Sequence, residues 1–211
     1  MLHKPAQSLL TPDNCAVMLV DHQPQMFFGV QSQDRQAIIN NVVGLAKAAK
    51  IFKVPVIIST IAAKTFSGPL LKQLQEVFPQ EPVIDRTNMN AWEDERVVAA
   101  VTKTGRKKLA MAGLWTEVCL AYPAISARDA GYDVYAVIDA SGSTSALVEQ
   151  MALIRMTQAG VIPLNWLTVL LEFQRDWARQ ETYQAVLDVV REHAGAYGQG
   201  VEYVYAMFGA H

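Results

Sequence analysis

The sequence predicts an α/β fold, a doubly wound parallel β-sheet of six strands with helices on both faces. Three observations lead to this prediction. Short β-rich segments alternate with segments of helical periodicity along the chain. The clearest strand segment, CAVMLVD, is continuously apolar up to its final aspartate, as in parallel strands buried on both faces. The chain has 211 residues, which suits one sizeable domain, so we expect a single domain over residues 1–211.

The first β-α-β unit occupies the N-terminal part of the chain. A turn at residues 11–14 leads into CAVMLVD at residues 15–21, an apolar run that stops at Asp21. Residues 35–50 carry apolar side chains at helical spacing and predict a helix. Residues 54–59 are again apolar and β-rich, and they predict the second buried strand.

Proline and glycine delimit the elements that follow. Pro69 begins a short helix that ends before Pro79. Gly105, Gly131 and Gly160 each follow the end of a helix. With these boundaries the sequence predicts helices at residues 69–78, 91–104, 119–130, 143–159, 167–180 and 182–193, and strands at residues 82–87, 109–113, 132–139 and 161–166.

The last segment, residues 195–211, is rich in aromatic residues and glycine and has no clear period. We interpret it as a docking tail or an oligomer contact rather than as part of the core. The apolar fraction of the whole chain is 51%. This slightly high value fits a buried parallel sheet together with a subunit interface.

Charge and composition exclude several classes of function. The formal net charge is -2, and the lysines and arginines are scattered, which argues against a nucleic-acid partner. No apolar run approaches the roughly 18 residues that predict a membrane span. Two cysteines do not make a disulfide framework, and the N-terminus lacks the plan of a signal peptide. We therefore expect a cytoplasmic protein with reduced thiols.

Reactive side chains follow several predicted strands. Asp21, Arg86, Cys119 and Asp139 lie at or just past strand ends, and doubly wound sheets bind ligands at the carboxyl ends of their strands. A cysteine in the first turn of a helix faces free N–H groups, which favour its thiolate. Cys119 is therefore the candidate nucleophile, Asp21 a base whose pKa burial would raise, and Arg86 the cation that orients this base. Asp139 precedes ASGST and is better explained as a loop or capping residue.

Each candidate also has a purely structural interpretation. Cys119 could be a small buried hydrophobe, which is the commoner fate of a free cysteine. Asp21 could cap the loop that follows its strand. Arg86 could pair with Asp85 or Asp94 at the surface. The residues alone leave both interpretations open.

Three segments of the sequence carry a family resemblance: VMLVDHQ, PVIDRTNMNAWED and AGLWTEVCLAYPAISARDAGYDVYAVIDAS. Together they resemble the isochorismatase-like cysteine hydrolases, and within that family the YcaC-type hydrolases. The resemblance covers roughly the whole chain. The run GLWTEVC is specific, whereas a strand that ends in aspartate is not.

The resemblance implies a Rossmann-like sheet of strand order 3-2-1-4-5-6 and a catalytic triad of Asp21, Arg86 and Cys119. Many relatives carry lysine where this chain has Arg86, so the cation is kept but a group able to shuttle a proton is lost. The resemblance also implies a cis peptide bond just before Thr116, with the N–H groups of Trp115 and Cys119 turned toward an oxyanion.

Cofactors and pocket residues follow from the same resemblance. Nicotinamidases of this family hold a metal through an aspartate and histidines that follow the second strand, but the histidines here are His3, His22, His193 and His211. We therefore expect no metal and no other cofactor. Loop residues just beyond the strand ends are the candidates for the substrate pocket, and their aromatic members suggest a planar or apolar substrate: Gln23, Phe27, Asn90, Trp92, Trp115 and Thr116.

The function implied is a metal-independent cysteine hydrolase that cleaves the C–N bond of a small amide or related carbonyl compound through an acyl-enzyme. The alternative is a ligand-binding or thiol redox-sensing module on the same fold with little hydrolytic activity. Relatives assemble as dimers, tetramers or octamers, so we expect a homo-oligomer, a tetramer or an octamer.

Overall fold

The computed structural model describes residues 6–209, and its centre is a six-stranded sheet in which every neighbouring pair of strands is parallel. The strand order β3-β2-β1-β4-β5-β6 confirms the order that the resemblance implies. The strands are β1 (Cys15–Val20), β2 (Val56–Ile61), β3 (Val83–Arg86), β4 (Lys108–Gly113), β5 (Asp133–Val137) and β6 (Ile162–Leu164).

Helices connect the strands and cover both faces of the sheet. They are α1 (Pro24–Gly29), α2 (Arg35–Ile51), α3 (Lys72–Val77), α4 (Glu95–Lys103), α5 (Ala121–Asp129), α6 (Ala146–Gln158), α7 (Trp166–Gln174), α8 (Gln180–His193) and α9 (Ala196–Phe208). Single π-helical turns at Ala63–Ser67 and Thr116–Leu120 follow β2 and β4, and short 3-10 turns lie at Ala91–Glu93 and Ile138–Ala140. Within residues 6–209, every helix is too short or too polar to cross a lipid bilayer.

The strand β1 lies at the middle of the core. Alternate residues of a strand point to opposite faces. The set Cys15, Val17 and Leu19 faces α2, α7 and α8, whereas the alternate set Ala16, Met18 and Val20 faces α4, α5 and α6. All six are completely buried, which explains why the sequence of this strand is continuously apolar.

Two predicted strand boundaries near the site are wrong by one or two residues. The first strand ends at Val20, because Asp21 adopts a left-handed conformation with φ +58°. The second strand was predicted at residues 54–59 but is Val56–Ile61. The Val54 N–H still bonds to the Ala49 carbonyl at the end of α2, so the strand begins later.

Two predicted helices near the site begin at other residues, and two short helical segments were not predicted. The helix predicted at residues 91–104 begins at Glu95, because the Asp94 side chain caps α4. The helix predicted to start at Cys119 is preceded by the π-helical turn that contains this residue. The turns that were missed, α1 and Ala63–Ser67, are only six and five residues long and show no periodicity in sequence.

The C-terminal segment is regular, contrary to prediction. Residues 196–208 form α9, which packs against α8 and ends with exposed aromatic side chains. Gly198 permits this packing, because an added Cβ would lie 2.5 Å from the Val190 carbonyl oxygen. Arg191 of α8 pairs with Glu202 at 2.7 Å and lies over the ring of Tyr205. The last two residues of the predicted tail lie outside the described residues.

Candidate active site

The three predicted catalytic residues follow three different strands. Asp21 comes directly after β1, Arg86 is the last residue of β3, and Cys119 lies in the π-helical turn after β4. The strands β1 and β4 are neighbours, although β2 and β3 lie between them in sequence, so the strand order reverses here. Doubly wound sheets bind their ligands at this switch point.

Arg86 holds Asp21 in place. Its Nη2 donates to Asp21 Oδ2 at 2.7 Å, and both side chains are completely buried. Its Nε donates to Ser59 Oγ at 3.1 Å, so the guanidinium reaches across the end of β2. Its Nη1 donates to the Asn88 carbonyl. All three guanidinium nitrogens therefore have acceptors within the protein.

The structure excludes the surface ion pair that was considered for Arg86. The Asp85 carboxylate accepts from the Thr60 hydroxyl at 2.9 Å, and Asp94 pairs with Arg96 at 2.6 Å. The surface partners suggested by sequence are thus occupied by other groups. Arg86 instead forms the buried ion pair with Asp21.

Asp21 makes different contacts through its two carboxylate oxygens. Its backbone N–H donates to the Ser59 carbonyl at 2.9 Å, which fixes the residue beside β2. Oδ2 accepts from Arg86, whereas the buried Oδ1 accepts from no N–H or O–H group among the described residues, and the Cys119 thiol is the remaining donor that acts on this carboxylate. Burial raises the pKa of Asp21 to about 6, against the opposing influence of the Arg86 charge and the Cys119 thiol. The carboxylate is therefore a usable base near neutral pH.

The Cys119 thiol is protonated at rest, contrary to the expectation of a thiolate stabilised by a helix start. Burial raises the pKa of this thiol well above its ordinary value, and the negative charge of Asp21 raises it further. The side chain is only 2% exposed. The Arg86 charge and the Trp115 N–H act in the opposite direction, but their influence on the pKa is smaller than that of burial and of Asp21.

The backbone before Cys119 differs in two details from the expectation. The cis peptide bond joins Leu114 and Trp115 and is not the bond just before Thr116. The π-helical turn directs the Cys119 N–H at the Trp115 carbonyl, and the Thr116 N–H donates to the Gly142 carbonyl at 3.0 Å. The Trp115 N–H donates to no backbone carbonyl within residues 6–209, and it faces the Cys119 sulfur, whose pKa it lowers. Of the two expected oxyanion donors, Trp115 is the one whose N–H is directed at the reactive sulfur and not at a carbonyl.

A cavity of about 450 Å³ opens onto Cys119. Trp115 forms one wall, and its indole Nε1 donates to the Met26 carbonyl at 2.8 Å, which holds the ring in position. The lining consists mainly of apolar side chains from the segments after β1, β2, β3 and β4: Met26, Ile61, Ala62, Phe66, Ser67, Thr87, Met89, Trp115, Val118 and Cys119.

Comparison with known proteins shows the family to which the chain belongs. Residues 15–168 match the family model described as the isochorismatase domain. The chain belongs to the isochorismatase family. This membership places it among hydrolases that share the fold and confirms the family resemblance drawn from the sequence.

The relatives of this isochorismatase-family protein include two solved YcaC structures. The chain is 41% identical to "Probable hydrolase YcaC" of Escherichia coli over 80% of its own length and 81% of that protein. The E. coli YcaC structure, described as an octameric hydrolase of unknown specificity, has a TM-score of 0.90 at 37% identity and covers 97% of this chain and 99% of its own. YcaC from Pseudomonas aeruginosa, solved with hexane-2,5-diol and covalent acrylamide, has a TM-score of 0.89 at 37% identity over 95% and 98% of the two chains.

Gln23 and Phe27 were predicted to line the substrate pocket, and this isochorismatase-family structure places them elsewhere. The Gln23 amide bonds to the backbone of Ile61 through both its oxygen and its nitrogen, and to the Gly68 carbonyl. It therefore braces the end of β2. Phe27 is buried in the core beside the His22 ring.

Asn90 and Trp92 do not line the cavity either. The Asn90 amide donates to Ser126 Oγ at 3.0 Å and caps the Trp92 N–H, which fixes the short turn against α5. Trp92 packs edge-on against Tyr132 at 5.3 Å between ring centroids. Both side chains hold the loop after β3, because their polar atoms and rings find partners on the α5 side.

Sequence reasoning missed several cavity residues. Ile61 was not considered as a cavity residue, because the second strand was predicted to end at residue 59. Phe66 and Met89 lie on loops after β2 and β3, and both are large apolar side chains that remain exposed, at 64% and 60%. Their position, as large apolar residues in loops that follow strand ends, was the feature of the sequence that could have indicated a place in the cavity lining.

His22 and Asp139 have structural contacts. His22 Nε2 donates to the Ala140 carbonyl at 2.9 Å, and burial lowers the pKa of the ring to about 4, so it stays neutral. Asp139 accepts the Trp166 N–H at 2.9 Å at the start of α7, whereas the next helix in sequence, α6, is capped by Ser145. In the part of the chain that the structure describes, no three His, Cys, Asp or Glu side chains are grouped as metal ligands. Metal independence remains a prediction, and His3 and His211 lie outside the described residues.

Proposed function

We propose that this protein is a cysteine hydrolase that cleaves the C–N bond of a small amide or a related carbonyl compound through an acyl-enzyme on Cys119. The observation that carries the proposal is the buried Asp21, which Arg86 holds by one oxygen and which shares a side-chain hydrogen bond with the Cys119 thiol. A base that is hydrogen-bonded to a cysteine at the end of a cavity is the arrangement that nucleophilic catalysis requires.

The protonation states of Asp21 and Cys119 before substrate binds determine the first step. Near pH 7 Asp21 is mainly ionised and Cys119 is a thiol, because their pKa values lie on opposite sides of neutrality. As the sulfur forms its bond to the substrate carbonyl carbon, the thiol proton moves to Asp21 and the carbonyl oxygen takes the negative charge. The Trp115 N–H, which faces the Cys119 sulfur and has no backbone carbonyl acceptor, is the donor that we assign to this oxygen.

The second half of the reaction returns the protons. The oxyanion collapses, the C–N bond breaks, and Asp21 gives its proton to the leaving nitrogen. Water then attacks the thioester while Asp21 accepts one of its protons. Collapse of that intermediate breaks the C–S bond and restores the Cys119 thiol with the proton from Asp21. Arg86 stays charged throughout and keeps the carboxylate oriented.

The relatives support a reactive site for uncharged compounds. The P. aeruginosa relative carries acrylamide covalently and also contains hexane-2,5-diol. Both are small molecules without charge. We take them as support for a small-molecule substrate of this chain.

The redox-sensing alternative is less well supported. A sensor cysteine reacts as an exposed thiolate, whereas Cys119 is almost completely buried and burial raises its pKa. Hydrolysis fits these properties better, because Asp21 can accept the thiol proton as the sulfur attacks, so that no resting thiolate is required.

We also propose that the protein is a cytoplasmic homo-oligomer, a tetramer or an octamer. The E. coli relative is described as octameric. Here α9 presents a row of exposed apolar residues, namely Tyr203, Val204, Met207 and Phe208. Such a patch is typical of a subunit interface. Both cysteines are free and buried, which is compatible with a cytoplasmic location.

Activity of two cysteine variants against a library of small amides, measured by ammonia release, tests the proposal. Cys119→Ala should lower kcat by about 10⁴-fold or more, because no other nucleophile is in place. Cys15→Ala is the matched control, since Cys15 is buried in β1 away from the cavity. Turnover by the Cys119 variant at the wild-type rate would refute the mechanism.

A further inference from the structure

Charged side chains are absent from the lining of the Cys119 cavity among the residues that the structure describes. Met26, Phe66 and Trp115 form apolar walls, and the hydroxyls of Ser67 and Thr87 are the polar side chains that accompany them. The lining therefore offers no partner for an ionic group of a ligand. A charge that enters such a cavity loses its hydration without a compensating ion pair.

Arg86 cannot supply the missing partner. Its three nitrogens are bonded to Asp21, Ser59 and the Asn88 carbonyl. Its charge also faces the buried carboxylate of Asp21, which would repel a second anion near the sulfur. Recognition of a substrate carboxylate would require breaking the buried pair that holds the base.

The mouth of the cavity has two exposed apolar side chains. Phe66 lies in the π-helical turn after β2, and Met89 lies in the loop after β3, so they extend from different segments. With 64% and 60% of their surfaces exposed, they leave apolar area that an apolar group of a bound molecule would cover. The cavity volume of about 450 Å³ is suited to a small molecule.

We propose that the site selects uncharged carbonyl compounds that carry an apolar group and excludes those that carry a carboxylate. Phe66 and Met89 bind the apolar group and determine this specificity. The inference rests on the proposed function only in that the ligand is the compound whose carbonyl faces Cys119.

Alkylation of Cys119 by a matched pair of reagents tests the charge selection without requiring hydrolysis. Iodoacetamide and iodoacetate differ mainly in charge, and their rate ratio is compared with the same ratio for N-acetylcysteine at the same pH and salt. We expect the ratio in the protein to favour iodoacetamide by a further tenfold or more, because iodoacetate brings an unpaired anion into the cavity. A ratio equal to that of the free thiol would overturn the proposal.

A charge variant at the mouth makes the test specific. Met89→Lys should bring the alkylation ratio back toward the free-thiol value, whereas Met151→Lys, on the exposed face of α6 and outside the cavity lining, should leave it unchanged. Equal effects of the two lysines would show a general electrostatic effect and would contradict the assignment. If Phe66→Ala and Met89→Lys change the oligomeric mass but not the ratio, a second copy covers these residues and the proposal is wrong.

A pair of amides separates this inference from the proposed function. Pentanamide and 5-amino-5-oxopentanoate have the same chain length and differ by a methyl group or a carboxylate at the far end. We expect pentanamide to slow the alkylation of Cys119 at concentrations at which the carboxylate has no effect. Hydrolysis of both amides at equal rates would overturn the specificity and leave the hydrolase intact. Selective protection with no hydrolysis of either would support the specificity and count against the hydrolase.

Discussion

The central pair of residues, Asp21 and Cys119, has its proton on sulfur at rest. Convergence of these residues with Arg86 was predictable, because the carboxyl ends of parallel strands meet at one edge. The protonation state was not predictable from sequence. It depends on burial and on the distance between two groups that are far apart in the chain, and these outweigh the position of Cys119 in its turn.

The pH dependence of activity follows from Asp21. Since only the carboxylate accepts the thiol proton, kcat/KM should rise as pH increases through about 6, the pKa of Asp21. Asp21→Asn should lower kcat/KM by about 10²- to 10⁴-fold and remove this rise. A pH profile of both proteins measures the effect.

Asp139→Asn is the control for this profile. Burial also raises the pKa of Asp139, but its carboxylate caps α7 and does not line the cavity. Its variant should keep the rise near pH 6. If the rise persists in Asp21→Asn or disappears in Asp139→Asn, the assignment of the base is wrong.

Replacement of Arg86 separates its charge from its hydrogen bonds. Arg86→Met leaves Asp21 buried without a cation, so its pKa should increase and the acid limb of kcat/KM should move to higher pH. The free energy of unfolding should fall by about 3–5 kcal/mol. Arg86→Lys keeps the charge but loses the planar contacts with Ser59 and Asn88, so both effects should be smaller. An unchanged acid limb in Arg86→Met would contradict the role of the ion pair.

At the scale of secondary structure elements, long periodic segments were predicted well and short or aromatic ones were not. The helix α2 and the strand β1 agree closely with prediction, because burial imposes a pattern on many consecutive residues. The helix α9 was missed because glycine and aromatic residues lower helix propensity. Its packing against α8, through Gly198 and Arg191, outweighs that preference. The residues that line the cavity were predicted poorly for a related reason, because tertiary contacts decide which loop side chains face it.

Two alanine substitutions in α9 test this explanation. Gly198→Ala should lower the unfolding free energy by about 1–3 kcal/mol, because the new methyl group would lie 2.5 Å from the Val190 carbonyl oxygen. Gly200→Ala, in the same helix with nothing within 4 Å of the added Cβ, should raise it by about 0.5–1 kcal/mol. Denaturant titration provides both values. Equal effects of the two substitutions would show that α9 does not depend on close contact with α8.

At the scale of the whole molecule, alternating strands and helices were sufficient to predict the parallel sheet. The strand order came from the family resemblance, and the structure confirms it. Sequence pattern does not reveal which exposed apolar residues meet another subunit, because the partner surface is not encoded in the periodicity of one chain. Away from the cavity, exposed apolar residues lie on α9 and on α6, among other places.

The oligomer proposal distinguishes these faces. Met207 of α9 and Leu147 of α6 are exposed by 68% and 65%. Met207→Asp should lower the molar mass measured by light scattering, because a buried, unpaired carboxylate destabilises an apolar interface. Leu147→Asp should leave the mass unchanged. The opposite pattern would assign the interface to α6 and contradict the proposal for α9.

The most direct test of the mechanism is detection of the acyl-enzyme. Wild-type protein is mixed with a neutral apolar amide, quenched in acid during turnover, and analysed by mass spectrometry of the intact chain and its peptides. The mechanism predicts an added acyl mass on the peptide that contains Cys119, none on the peptide with Cys15, and none in Cys119→Ala. Turnover of the amide without any acyl mass on Cys119, under conditions in which the acyl-enzyme should accumulate, would contradict the central claim.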